Sequence, residues 1–178
     1  MDHIIQVADQ YFESAHKSIG QVRKYSGEPY FNHCRAVAAL IRDHALVYTT
    51  DCIVAALGHD SEEDVYPLNK EYSLDRTKHI FGVYVHQLIV ECTNVYTKER
   101  FPYINRDKRN NLEANRLAWV SSEAQTIKYA DIINNCSDLK VQDPKYASKY
   151  LDEKKGVLRL MNKGDSNLYE LARKVVGL

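Results

Sequence analysis

The chain has 178 residues, 44% hydrophobic and 27% charged, which is ordinary for a globular protein able to bury roughly 70% of its unfolded surface. Lys plus Arg equals Asp plus Glu at 24 each, so no global charge draws it to nucleic acid or to a membrane, and any anion site must be local. The opening stretch, MDHIIQVADQYFESAHK, carries acids and a helical period instead of a leader's basic and apolar segments. No apolar run approaches the ~20 residues that span a bilayer.

Four cysteines, Cys34, Cys52, Cys92 and Cys136, show no C-x-x-C spacing and sit among apolar helical neighbours. Buried free thiols in a reducing compartment are therefore expected over disulfides or zinc, and the chain reads as cytoplasmic. Apolar residues recur at three and four throughout, and no stretch alternates over strand length. The expected architecture is all-α: one domain over residues 1–178, a bundle of about eight helices without repeats or a linker.

In chain order, residues 2–18 form a first helix with Ile4, Ile5, Ala8, Tyr11 and Phe12 on its apolar side. The loop GQVRKYSGEPY follows, where Gly27 permits a turn and Pro29 suits a helix's first turn. A second helix runs over about 30–44. TTDCIVAALGHDSEED, residues 49–64, reads as a third, with Thr50 or Asp51 available as N-cap and the stop VYP after its acids. Residues 68–80 read as charged surface, VYVHQLIVECT as a buried helix and YTKERFPY as a loop. Two helices follow, over about 105–119 and 122–139, with Trp119 expected in the core. Asp143-Pro144 then caps a long helix to about 162, and GDSNLYELARKVV closes the chain.

Three places carry chemistry. His33 stands in the first turns of an otherwise apolar helix, as a satisfied core histidine or as a metal ligand. In AALGHDSEED an apolar helix delivers His59-Asp60, and Glu62, Glu63 and Asp64 follow within one turn. Acids at a helix C-terminus oppose its dipole, and a nearby cation removes that conflict; a solvated helix end is the plainer alternative. In AQTIKYADIINNC, Asp131 interrupts an apolar helix, and a buried carboxylate needs a partner such as Lys128 or a metal. Together His33, His59, Asp60 and Asp131 form a mixed N/O set on three helices. Such a set suits Mn, Fe, Co or Zn better than calcium.

The order and spacing of GQVRKYSGEPYFNH, AALGHDSEEDV, ECTNVYT and TIKYADIINN resemble the HD phosphohydrolases, with their H…HD…D signature. Within them the likeness is to the hydrolase domain of Rel/Spo alarmone enzymes and to the single-domain small alarmone hydrolases. It covers about residues 12–160. The resemblance implies an all-α HD fold with one manganese held by His33, His59, Asp60 and Asp131. Fe, Co or Zn remain possible at that site. It also implies that Glu63 and Asp64 position and deprotonate a metal-bound water, while Glu62 falls on a variable position. Basic residues would grip the phosphates of a nucleotide substrate: Arg23 or Lys24 in the loop before His33, and Arg109 and Arg116 on one helix face. Asn135 would meet the ribose, whereas Tyr30 would pack the loop.

Three departures from the family pattern bear on substrate recognition. Ile132 stands where the alarmone hydrolases carry a basic residue. Tyr25 is inserted after Arg23-Lys24, and IGQ lengthens the stretch after His16-Lys17. The implied reaction is removal of the 3′-pyrophosphate from guanosine or adenosine alarmones. The same site could serve a nucleotide phosphatase acting on NADPH or a deoxynucleotide, or a non-catalytic nucleotide-binding HD protein; the intact site residues speak against the last. The oligomeric state is not legible in the sequence.

Overall fold

The computed structural model describes residues 2–178. Its helices are α1 (His3–Ser18), α2 (Phe31–His44), α3 (Thr50–Gly58), α4 (Leu74–Phe81), α5 (Val83–Cys92), α6 (Arg106–Leu117), α7 (Ser122–Gln142), α8 (Pro144–Leu160) and α9 (Ser166–Val176). The fold is all-α, as the three- and four-residue spacing predicts. Among the described residues there is no strand, only an isolated antiparallel bridge between Val22 and Pro29 that pinches the loop after α1. Gly27 supplies the left-handed turn expected there, with φ at +70°.

The central element is α7, which packs on α2, α3, α5, α8 and α9. Every residue from Ala124 to Ile133 is buried, so this helix meets protein on all its faces. That burial includes Lys128 and Asp131, two opposite charges one turn apart. Against α7 lies α2, and α3 passes between α1 and α5. At the end of α3 the chain comes so close to α1 that a Cβ on Gly58 would collide with the Phe12 ring. The glycine before His59 therefore lets the α3 end seat directly on the core.

Helix starts follow the capping chemistry of the sequence. Ser73, Asn105, Ser121, Asp143 and Asp165 each accept a hydrogen bond from the backbone N–H three residues on. At α3 the cap is Thr49, whose Oγ1 accepts from Cys52 N at 3.1 Å, and neither Thr50 nor Asp51. The helix expected over 49–64 is also not continuous. It stops at Gly58, and Ser61–Val65 form a π-turn, closed by Tyr66 N–H donating to the Ser61 carbonyl at 3.0 Å.

One further expectation, for Trp119, needs correction, and one needs filling out. Residues 68–80 are mostly surface, as expected, with Thr77 alone among them buried, but they also contain most of α4, which buries Thr77 and Phe81 and stacks Phe81 on Phe12 at 5.5 Å between ring centroids. The charges in DRTK hide an amphipathic period too short to stand out. Trp119 is 84% exposed, in the turn between α6 and α7, with Lys163 Nζ 5.2 Å from its ring. The apolar contact that α6 makes there comes from Leu117 and Val120 instead. All four cysteines are buried free thiols, as expected.

Candidate metal centre

Three helices and one turn bring His33, His59, Asp60 and Asp131 together. His33 sits near the start of α2, His59 and Asp60 lie just past α3, and Asp131 is midway along α7. Donor atoms of His33, His59 and Asp60 all lie within 4.8 Å of one another. Asp131 Oδ1 completes the cluster, 3.3 Å from His33 Nε2 and 3.8 Å from His59 Nε2. Asp60 Oδ2 stands 3.1 Å from His59 Nε2 and 3.5 Å from His33 Nε2.

Both imidazoles are held from behind. His59 Nδ1 donates to the Ala56 carbonyl at 2.8 Å, which fixes its proton on that nitrogen. His33 Nδ1 meets Asn134 Oδ1 at 2.7 Å and is fixed in the same way. Each Nε2 is thereby left as a lone pair, and both Nε2 atoms are buried without a hydrogen-bond partner. Two orphaned imidazole nitrogens facing two carboxylates are the donor set of a divalent first-row metal, with the outer hydrogen bonds such ligands use. The residues fit a metal of this type.

The electrostatics agree with that fit. Burial opposes ionisation of Asp131, but Lys128, at 2.9 Å from Oδ2, and the imidazoles hold its carboxyl well below the usual range. Asp60 is held down in the same manner against its own burial, chiefly by His59. Burial lowers the two imidazoles, yet the same carboxylates outweigh it and raise both. The pocket, as built, calls for positive charge at its centre. Lys128 and a metal are thus not competing partners of Asp131, because one oxygen faces each.

The π-turn carries the two acids. Glu63 Oε2 accepts from Asn94 N and Nδ2 at 3.1 and 2.9 Å. Asp64 Oδ2 accepts from Gln21 Nε2 at 2.8 Å, and Gln21 is itself held by His16. Burial, then the Asp60 charge, raises both carboxyls, and Asp64 reaches about 6. Carboxylates with raised pKa beside a candidate metal centre have the proton affinity that general base chemistry needs.

A family model described as "HD domain" matches residues 8–157. The chain belongs to the HD-domain family. Among curated proteins it is similar to guanosine-3′,5′-bis(diphosphate) 3′-pyrophosphohydrolase MESH1 of Drosophila melanogaster, 31% identical over 74% of this chain and 68% of that protein. MESH1 of Mus musculus is 34% identical over 71% of this chain and 65% of its own length, so the chain spans about two thirds of these relatives. A solved structure described as "A metazoan ortholog of SpoT hydrolyzes ppGpp and plays a role in starvation responses" matches with a TM-score of 0.82. It is 25% identical and is covered over 98% of this chain and 94% of its own.

In this HD-domain protein the cationic candidates are distributed unequally. Arg23, Lys24, Tyr30 and Asn135 line a cleft of 620 Å³. Arg23 is tied there by Asp138 at 2.8 Å and by Asn135 Oδ1, while Asn135 Nδ2 donates to Asp131 Oδ1. Arg109 lines a second cleft of 260 Å³ with Glu63, Asn94 and Lys128. Arg116 lies on the same face of α6 as Arg109, as expected, but its side chain does not reach Arg109's cleft. It pairs with Glu113 and donates to the carbonyls of Glu91 and Thr93 at 3.0 and 3.1 Å, and it lines neither cleft. Its role is to fasten α6 to the end of α5. Arg116→Ala should therefore lower unfolding free energy by about 1.5–3 kcal/mol through lost charge-assisted hydrogen bonds, and leave metal content unchanged. A thermal melt and elemental analysis check both halves.

Tyr30 is also more than loop packing, because its hydroxyl donates to Asp60 Oδ2 at 2.8 Å. Burial and that carboxylate push its pKa up, which keeps it a neutral donor. Gln21, Asn94 and Asn134, which orient the acids and His33, were missed by residue chemistry alone. Each is an ordinary amide in a loop or helix, and its only signal was proximity to the quoted motifs.

Proposed function

We propose that this chain is a metal-dependent pyrophosphohydrolase that hydrolyses the 3′-pyrophosphate of ppGpp- or ppApp-type nucleotides, releasing pyrophosphate and the 5′-nucleotide. The match of the whole chain to a ppGpp-hydrolysing protein carries this reading. The buried H…HD…D cluster supports it independently.

His33, His59, Asp60 and Asp131 would hold the ion, with manganese as the proposed metal. A bound divalent ion lowers the pKa of water and polarises a phosphoryl oxygen. Around it, Tyr30 and Asn135 keep the Asp60 and Asp131 carboxylates in place by donating to them. Asp64, braced by Gln21, takes the proton of the attacking water. Glu63, clamped by two N–H groups of Asn94, orients that water. Lys24 and Arg23 bind substrate in the larger cleft beside Asn135, which meets the ribose, and Arg109 reaches phosphate in the smaller one. The full chain acts as one HD domain, in the cytoplasm, on a small-molecule nucleotide.

The decisive experiment resolves the products of ppGpp and ppApp incubated with Mn(II)-loaded protein. Pyrophosphate and the 5′-diphosphate should appear, the reaction should stop on chelation, and Mn(II) should restore it best. Release of orthophosphate alone, or turnover in excess chelator with no metal by elemental analysis, would overturn the reading.

A further inference from the structure

The smaller cleft shares no lining residue with the cleft of Arg23 and Asn135. Its carboxylates are all committed. Glu153 is bound by Arg106 at 2.8 Å through both oxygens, Glu113 holds Arg116 and two backbone N–H groups, and Glu63 holds Asn94. Lys128 is committed as well, to Asp131. Lys154, projecting from α8 into the same cleft, is not. Among the described residues no carboxylate lies within the 4.0 Å of an ion pair from its ammonium, which rests 4.9 Å from the Tyr150 ring centroid. Burial and the neighbouring Lys128 charge push its pKa down. A half-buried ammonium beside a second cation is short of a counter-ion, and a solvated lysine would have no reason to be so.

The cleft begins one carboxylate away from the candidate centre. Asp131 turns Oδ1 toward the imidazoles and Oδ2 toward Lys128, and Lys128 lines the cleft with Ile132 and Lys154. A phosphate reacting at the centre, with its nucleoside in the larger cleft beside Asn135, therefore places its next phosphate here. We infer that Lys154 binds the terminal phosphate of the substrate's 3′-pyrophosphate, so that this cleft distinguishes a pyrophosphate from a single phosphate. The inference rests on the hydrolase reading for the substrate's identity and on the cleft alone for the anion. Ile132, buried beside Asp131, brings no charge to this wall, and the half-buried cation beside Lys128 comes from α8, with Arg109 and Lys98 elsewhere on the lining.

The test is calorimetric binding of inorganic pyrophosphate and of orthophosphate to the Mn(II)-loaded protein, comparing wild type with Lys154→Ala, Lys154→Gln and Lys154→Arg. Loss of one charge-assisted contact should weaken pyrophosphate about tenfold to a hundredfold in the Ala and Gln variants and leave orthophosphate within about twofold. Lys154→Arg should recover most of the affinity, which separates charge from packing. The Gln variant retains most of the side-chain length and reports should the Ala variant fold poorly. In turnover, kcat/KM should fall more for ppGpp than for the matching 3′-monophosphate. Unchanged pyrophosphate affinity in both neutral variants, or an equal loss for orthophosphate, overturns the assignment. Lys154-dependent pyrophosphate binding in a protein that never cleaves ppGpp would defeat the hydrolase reading and leave the subsite standing. Full ppGpp turnover with Lys154-independent binding would do the reverse.

Discussion

Asp64→Asn and Glu63→Gln should each lower kcat by about 10²–10⁴, the range for a general acid–base group, while metal content stays at the wild-type level. Both substitutions preserve size and an acceptor oxygen, so the bonds from Gln21 to residue 64 and from Asn94 to residue 63 can survive. What disappears is the ability to take a proton. The stability readout is equally diagnostic. Both carboxyls are raised in the folded protein, so the folded state binds more protons than the unfolded chain from the ordinary carboxyl range upward, and for Asp64 this window reaches about pH 6. Stability from these groups is thus lost as pH rises through that window, and at pH 7 they are a net cost to the fold. Chelated Asp64→Asn should melt at or above chelated wild type at pH 7, and the advantage should vanish below pH 4. A structural acid pair would behave oppositely, with lower melting and near-normal kcat.

Asp131→Ala should be the most damaging single change. It removes a candidate metal donor and at the same time leaves Lys128 buried without its carboxylate. Breaking a buried pair from one side costs about 3–5 kcal/mol, a large share of a domain's stability. Metal binding, turnover and melting temperature should all fall together. The double variant Asp131→Leu/Lys128→Met separates the two effects. Replacing both charges by apolar groups of similar volume should restore most of the stability, and it cannot restore the metal donor. Elemental analysis and a melt on the double variant decide the matter: a stable, metal-free, inactive protein is expected. Wild-type metal content in a folded double variant would reduce Asp131 to a partner of Lys128. The pH dependence also differs from that of Asp64. Asp131 is depressed in the folded state, so its contribution is present above about pH 4 and is lost as pH falls further.

How much of this was legible in the sequence depends on whether the signal was local. Apolar spacing gave the helices and their order, because burial of a helical face is written at three and four residues. His33, His59-Asp60 and Asp131 stood out because each is a polar residue where an apolar one would pack, and the cluster they form is present in the structure. The cradle around them was not legible. Gln21 reaches Asp64 across 43 positions, and Asn94 reaches Glu63 across 31. An amide in a loop carries no mark of a partner so distant. Arg109 and Arg116 illustrate the converse: seven-residue spacing put them on one face, but Glu113 drew Arg116 back toward α5. The charged stretch before Phe81 concealed α4, because its two buried residues, Thr77 and Phe81, make too short a period to count.

The widened turn at Ser61–Val65 has an implication for how this sequence can vary. The turn carries one residue more than ordinary α pitch would, and Glu62 is the one acid of the run without an assigned task. Removing it would shift Glu63 and Asp64 by one position, about 100° of helix rotation, relative to His59-Asp60. Glu63 and Asp64 would swing off their amide holders, and Val65, fully buried in the same turn, would lose its place in the core. The surplus residue thus acts as a phase setter. It fixes the angular offset between the proposed cation-binding pair and the proposed proton-handling pair, so insertions or deletions in this segment should cost function as well as packing.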